Sequence, residues 1–251
     1  MAKIISVSNQ KGGVGKTTTS INLAASMSKS GKNVLIIDLD PQGNATSGLG
    51  IDKKSVEKSA YDLLKDQADA GEVIKKTEFD NLYLIPSHIN LAALDSGISL
   101  FSGKENRLRN KISSAKKDFD YIIVDCPPSL GIITINAFCA SDSVIIPIQC
   151  EYYALEGLSQ LINTIKVVKR HHNPEFEIEG ILMTMCDTRL NLTKQVMAEV
   201  EKSFAGKVFK SVIPRSVKLA EAPGFGKPGV YFDKSNRASK AYISLAQEVM
   251  A

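Results

Sequence analysis

The sequence predicts an α/β fold: a single doubly wound, mostly parallel β-sheet with helices on both faces. Three observations carry that expectation. Short β-branched apolar runs alternate with stretches of helical periodicity along the 251 residues. Several of the runs are apolar at every position, as strands are when helices cover both faces of a sheet. A glycine-rich turn stands between the first run and the first long helical stretch.

In chain order, the predicted strands are IISVS (Ile4 to Ser8), VLIID (Val34 to Asp38), LYLIP (Leu82 to Pro86), YIIVD (Tyr121 to Asp125), SVIIPI (Ser143 to Ile148), ILMTM (Ile181 to Met185) and VFKSVI (Val208 to Ile213). Helices are expected over Lys16 to Lys29, along the stripe Leu155, Leu158, Leu161, Ile162, Ile165 and Val168, and from Asn236 to Met250 with Tyr242, Leu245, Ala246 and Val249 on one side. The stripe reads as core packing. Gly50 to Asp80 is a polar, helix-rich excursion between strands. No Pro/Ser-rich linker, low-complexity tract or internal repeat divides the chain, so residues 1–251 are read as one domain.

A hydrophobic share of 43% excludes a disordered chain. The longest uncharged run, Cys126 to Ser141, has 16 residues and two prolines, short of the roughly 20 apolar residues a membrane helix needs. The start MAKIISVSNQKGG lacks an apolar signal core, and a cytoplasmic protein is expected. The end lacks a Lys-rich, Phe/Leu-rich amphipathic tail of the kind that lies on membranes. Cys126, Cys139, Cys150 and Cys186 stand far apart in apolar surroundings and read as buried thiols. His88 and the adjacent His171 and His172 do not make a helical i, i+4 ligand pair, which disfavours zinc or histidine catalysis.

Net charge is +4, unevenly placed: Arg189 to Lys240 holds 11 basic and 4 acidic residues, a balance of +7, and the remainder carries −3. That asymmetry suggests a polyanion partner for the C-terminal third.

The chemistry concentrates in Gln10-Lys11-Gly12-Gly13-Val14-Gly15-Lys16-Thr17-Thr18. Lys11 to Thr18 occupies the eight-residue Walker A frame, with Lys11 where the first glycine would stand, so the literal GxxxxGK[ST] fails and the variant KGGxGKT[ST] fits. Glycines here let successive N–H groups face phosphate oxygens at the positive end of a helix. Lys16 is expected over the β- and γ-phosphates and the Thr17 hydroxyl on Mg2+. Asp125, an acid at the C-terminal edge of a strand, is in the Walker B position. Asp38 and Asp40 end another strand in DLDPQGN, whose Pro41 and Gly43 force a turn.

KGGVGKTT, DLDPQGNATSGLG, DYIIVDCPPSLG, PIQCEYYALEGL and VIPRSVKLAEAP, in this order, resemble the deviant Walker A ATPases of the ParA family, the chromosomal Soj type above all. The resemblance covers essentially the whole chain and implies a P-loop NTPase fold, ATP and Mg2+ as cofactors, and slow ATP hydrolysis. It implies that Gly12, Gly13, Val14, Gly15 and Thr18 join Lys16 and Thr17 around the phosphates. Lys11 is then the signature lysine that reaches across a dimer interface to the partner's ATP, with Gly12 facing its counterpart. Asp40 matches the residue that orients the attacking water, Asp125 the Walker B acid and Asp38 a supporter of the metal site, while Pro214 and Arg215 match the stretch bordering adenine.

The family further implies an ATP-sandwich homodimer on non-specific double-stranded DNA, associated with the nucleoid and released after ParB-stimulated hydrolysis. Arg189 matches a basic position associated with DNA, and Lys210, Arg215 and Lys218 are expected to converge with it at one end of the molecule. Lys218 stands where an arginine is common in the family. The nine residues before the phosphate loop leave no room for the helix-turn-helix extension of longer plasmid relatives. Two other classes share the loop. A MinD-like membrane-cycling ATPase is disfavoured by the missing amphipathic tail. An iron–sulfur or ligase enzyme on the same scaffold, such as a nitrogenase-type iron protein, would draw cluster ligands from Cys126 and Cys150.

Overall fold

The computed structural model describes residues 1–97, 104–151, 158–187 and 189–251. Leu155 of the predicted stripe, residues 152–157 of PIQCEYYALEGL and Thr188 lie outside the described residues. The strands are β1 (Lys3–Val7), β2 (Val34–Asp38), β3 (Lys75–Lys76), β4 (Leu82–Ile85), β5 (Tyr121–Asp125), β6 (Ser143–Gln149) and β7 (Glu177–Thr184). Helix α1 (Lys16–Lys29) joins β1 to β2, and the short α2 (Asn44–Gly48), α3 (Ala60–Leu64) and α4 (Ala70–Val73) precede β3. Between β4 and β5 come α5 (Leu91–Gly97) and α6 (Arg107–Lys111), after β5 α7 (Ile132–Ala140), and after β6 α8 (Leu158–His171). The chain then forms α9 (Asn191–Ser203), α10 (Val217–Glu221), α11 (Gly229–Phe232) and α12 (Arg237–Met250). Asn236 caps α12, its side chain accepting from the Ala238 N–H.

The strands form one sheet in the order β3-β4-β2-β5-β1-β6-β7, parallel throughout except for β3 against β4. The polar excursion thus contains a strand that the apolar pattern did not reveal. Its two exposed lysines blunt the open edge of the sheet, and the same charges hid it from a search for apolar runs. The predicted strand over Val208 to Ile213 is a correction: within it only Val208 makes an isolated bridge, to Ile181, and the next bridge, Cys186 to Pro214, falls just past its end. Phe209 N–H donates to Ile181 O and Ile213 N–H to Met183 O. Four residues on this side therefore oppose two on β7, and the surplus loops out and breaks the ladder.

The strand alternation sorts side chains between two cores. Ile4, Leu35, Ile37, Ile122 and Val124 pack with α7, α8 and α9, whereas Ile5, Val7, Ile36 and Ile123 pack with α1 and α12. Leu158, Leu161, Ile165 and Val168 of α8 are buried, and Ile162 half-buried, as a core stripe requires. Asp38 shares the parity of Ile36, and Asp125 that of Ile123, so both acids face α1 at the C-terminal edge of the sheet. Sheets wound in both directions from a central strand open their crevice at this edge. No helix of the described residues is long and apolar enough to cross a membrane.

Candidate functional site

The chain from Ser8 to Gly15 curls between β1 and α1, with Gly13 at φ 76° and Gly15 at φ 88°, left-handed values that L side chains rarely adopt. Gly15 is the N-cap of α1, so the helix begins with no side-chain cap and its first N–H groups point out of the sheet edge. The loop is anchored from below. Asn9 donates to Pro147 O at 2.7 Å and accepts from the Lys11 N–H at 3.0 Å, and the Thr184 hydroxyl donates to Val14 O at 2.8 Å. Pro147, with no N–H, sits where β1 no longer pairs with β6.

Lys16 is buried and donates to Lys11 O at 3.0 Å. Burial holds its ammonium below the ordinary lysine range, partly offset by the charges of Asp125 and Asp40. A lysine pulled over its own loop carbonyl stands where an anion bound in the curl would meet it. Lys11 is exposed and pairs with Glu151 at 2.6 Å. A Cβ built at Gly12 meets nothing within 4 Å, so this chain leaves the space beside it open.

Behind the loop stands a buried acidic pair. Asp38 and Asp125 are register partners on β2 and β5, both fully buried. Thr46 donates to Asp38 through its N–H at 2.8 Å and its hydroxyl at 2.7 Å, and the Asp40 N–H adds a bond at 3.2 Å. Ser20 donates to Asp125 Oδ1 at 2.8 Å, and the nearby Thr17 hydroxyl favours the charged form of this carboxylate. Asp125 Oδ2 is buried with no partner. Burial pushes Asp38 up to about 7 and Asp125 up to about 8, and the carboxylates raise each other, Asp125 by Asp38 and Asp38 by Asp40.

An orphaned carboxylate oxygen beside a second buried acid and the Thr17 hydroxyl is a donor set that fits a hard divalent cation. Among the described residues, no group of three or more His, Cys, Asp and Glu surrounds one point, so a dedicated all-protein cage is absent. That pattern suits Mg2+, which keeps waters and shares its shell with phosphate. Asp40 follows β2 into a turn fixed by Gln42 N–H to its Oδ1 at 2.9 Å and by the Gly43 N–H and Ser87 hydroxyl to its carbonyl. Ser20, Thr46, Asn9 and Glu151 belong to the site and were not singled out from the sequence. For Thr46, its place in DLDPQGNATSGLG was the available signal.

Beside the loop, Gly15, Thr18, Thr184, Met185, Pro214, Arg215 and Tyr242 line a cavity of about 280 Å³ that is apolar over much of its wall. Pro214 and Arg215 thus come to the rim of the glycine loop. A wider cavity of about 760 Å³ is lined by Arg189, Arg215, Lys218 and Arg237. Lys210 is not among its lining residues and lies on the loop-out beside β7. Arg237 takes part instead. Arg189 is clasped by Asp187 through two bonds at 2.8 and 2.6 Å, which hold the Asp187 carboxyl down at about 2. Lys218 pairs with Glu221 at 2.9 Å.

The thiols depart from expectation in one case: Cys126, Cys139 and Cys186 are buried, but Cys150 is half-buried, and the neighbouring Cys186 holds its thiol below the ordinary range. Strand ends on neighbouring strands bring together what 35 intervening positions separate in the chain.

A family model described as an AAA domain matches residues 2–178. Over 251 residues the chain is 55% identical to the sporulation initiation inhibitor protein Soj of Bacillus subtilis (strain 168), spanning 100% of this chain and 99% of that protein. It is 46% identical over 250 residues to the chromosome partitioning protein ParA of Myxococcus xanthus, spanning 100% of this chain and 88% of the other. Among solved structures, cobyrinic acid a,c-diamide synthase from Mycobacterium smegmatis with bound ATP analog and magnesium matches with a TM-score of 0.87 at 32% identity, over 98% of this chain and 93% of that one.

Proposed function

Because the chain belongs to the ParA family of ATPases, we propose that it is a Mg2+-dependent partitioning ATPase whose ATP-bound form is a DNA-binding homodimer. The observation that carries the nucleotide reading is the orphaned Asp125 Oδ2 beneath the glycine loop, next to Asp38 and within reach of Thr17. A bound Mg2+ would be held by Thr17 and, with its waters, by Asp125 and Asp38, and would supply charge neutralisation between the β- and γ-phosphates.

The chain's own residues do the rest. N–H groups of Gly12, Gly13, Val14, Gly15, Lys16, Thr17 and Thr18 cradle the phosphates, and Lys16 moves from Lys11 O onto the β- and γ-oxygens. Asp40, which matches the family's water-orienting residue, orients the attacking water, with its backbone carbonyl held by the Gly43 N–H and the Ser87 hydroxyl. Pro214 and Arg215 border the adenine in the apolar cavity. Lys11 exchanges Glu151 for the partner subunit's phosphates, and the open space at Gly12 admits the partner's loop.

DNA binding is assigned to Arg189, Arg215 and Lys218, joined by Arg237, with Lys210 on the flank. Such a patch holds phosphates without reading bases. The partner that stimulates hydrolysis is a ParB-like protein, and the chain works as one domain in the cytoplasm on the nucleoid. ATP turnover measured alone, with DNA, and with DNA plus a ParB N-terminal peptide tests this reading: a rise only in the last condition is expected, and turnover indifferent to both additions overturns the partitioning role. Liposome sedimentation with ATP tests the MinD-like alternative, for which ATP-dependent pelleting would be required.

A further inference from the structure

Cys150 follows the last residue of β6, and Cys186 stands two residues beyond β7. Gln149 and Thr184 are register partners, so the two cysteines leave neighbouring parallel strands at the same edge. Continuing that register sets Cys150 opposite Met185 and Cys186 one residue beyond, diagonal to Cys150 across neighbouring strands about 4.8 Å apart. Met185 between them adopts φ 51°, a turn of the backbone that ends the strand and re-aims Cys186. The two thiols lie close enough for each to shift the other's acidity, and Cys186 Sγ donates to Thr184 O at 3.5 Å.

The pair is asymmetric in access and in acidity. Cys150 is half-buried and reachable, Cys186 is 4% exposed, and Cys126 and Cys139 are sealed in the core. The Cys186 thiol holds Cys150 below the ordinary thiol range, and the same pairing, with burial, pushes Cys186 up. A reachable sulfur favoured as thiolate beside a second thiol is the arrangement of an attacking and a resolving cysteine.

We propose that Cys150 and Cys186 form a reversible intramolecular disulfide when the protein meets hydrogen peroxide. The Cys150 thiolate attacks one peroxide oxygen, the O–O bond breaks, and hydroxide leaves a sulfenic acid on Cys150. That hydroxide takes the Cys186 proton as water. The Cys186 sulfur then attacks the Cys150 sulfur and expels a second hydroxide, which takes up the proton first lost by Cys150. Two thiols are oxidised, one peroxide is reduced, and two waters form; a dithiol reverses the change.

The bond would tie two loops that the site uses. Cys150 adjoins Glu151, the ion-pair partner of Lys11, and Cys186 adjoins Asp187, which clasps Arg189. Oxidation should therefore slow amide exchange at residues 150–151 and 186–187 together, a readout that does not depend on the partitioning role.

The experiment treats the full chain with hydrogen peroxide and follows intact mass and non-reducing peptide maps. A loss of about 2 Da, one linked peptide joining Cys150 to Cys186, and reversal by dithiothreitol are expected. Cys186→Ser should leave a dimedone-trappable sulfenic acid on Cys150, and Cys150→Ser should leave the chain unreacted. The wild-type map decides the matter even if a variant misfolds. Oxygen added to Cys150 without a crosslink, a bond through any other pair, a disulfide between two chains, or no reaction would each overturn the proposal.

Discussion

At the C-terminal edge of β1, β2 and β5 the polar groups are buried and bonded to one another: Thr46 to Asp38, Ser20 to Asp125, Asn9 to Pro147. Around residues 186–237 they are exposed and paired with close sequence neighbours, Arg189 with Asp187 and Lys218 with Glu221. In the first region a single substitution leaves a buried group stranded, at about 1–3 kcal/mol for a neutral partner and more for a charge. In the second, water replaces whatever is lost, and exposed pairs are worth about 0–1 kcal/mol. Sharp, local failure is thus expected of the glycine-loop end, and graded, salt-dependent failure of the basic surface.

The largest effect should come from Lys16→Ala. No other buried ammonium stands over the loop among the described residues, so ATP affinity should fall by about 100-fold or more in calorimetry, roughly 3 kcal/mol. Wild-type affinity would remove the loop from the phosphate reading.

Asp125→Asn should act in opposite directions on stability and function. Asp38 and Asp125 have their carboxyls raised above the unfolded value, to about 7 and about 8. Between pH 4 and 8 the folded chain therefore holds protons that the unfolded chain releases, and stability is lost as pH rises through that window. The nucleotide-free wild type should melt lower at pH 8.5 than at pH 5.5. Asp125→Asn should flatten this slope and gain on the order of 2 kcal/mol at pH 8.5, about 5 °C, while losing Mg2+-dependent turnover. Equal pH slopes for the two proteins in differential scanning calorimetry would mean that the pair is not strained.

Gly12→Val sharpens the contrast between intrachain and interchain effects. The backbone at Gly12 is not left-handed and a Cβ meets nothing in this chain, so folding and ATP binding should persist. A collision can come only from another molecule, and the variant should remain monomeric with ATP in light scattering. An ATP-loaded dimer would place the interface elsewhere.

The smallest expected effect belongs to Arg189→Glu, because Asp187 already engages the guanidinium. The slope of log affinity against log salt should lessen by about 0.9 for each lost phosphate contact, with basal turnover unchanged. An unaltered slope in filter binding would take Arg189 off the DNA path.

The same contrast governed what could be read from the sequence. The glycine loop, Asp38, Asp40 and Asp125 were readable because strand parity and a short glycine spacing are local properties that place side chains without knowledge of the rest of the chain. Most strands were readable for the same reason, their apolar runs being continuous. Lys75–Lys76 was not, because an edge strand is defined by its partner rather than by its composition. Val208 to Ile213 failed in reverse: its residues favour a strand, but two surplus positions against β7 prevent the ladder. The position of Lys210, the entry of Arg237 and the meeting of Cys150 with Cys186 depend on how loops settle after the sheet forms, and charge counts or residue spacing carry no trace of that.

The most direct test of the central claim, that the end of the sheet bearing Lys16 and Asp125 is an ATP and Mg2+ site, is the thermal midpoint of the nucleotide-free chain titrated with ATP in the presence and absence of Mg2+ at pH 8.5. With the cation, the midpoint should rise with ATP concentration, by about 2.7 kcal/mol of stabilisation at 100 times Kd, and Asp125→Asn should abolish the Mg2+-dependent part. A midpoint that ignores ATP, or a Mg2+-dependent rise that persists undiminished in Asp125→Asn, would contradict the account.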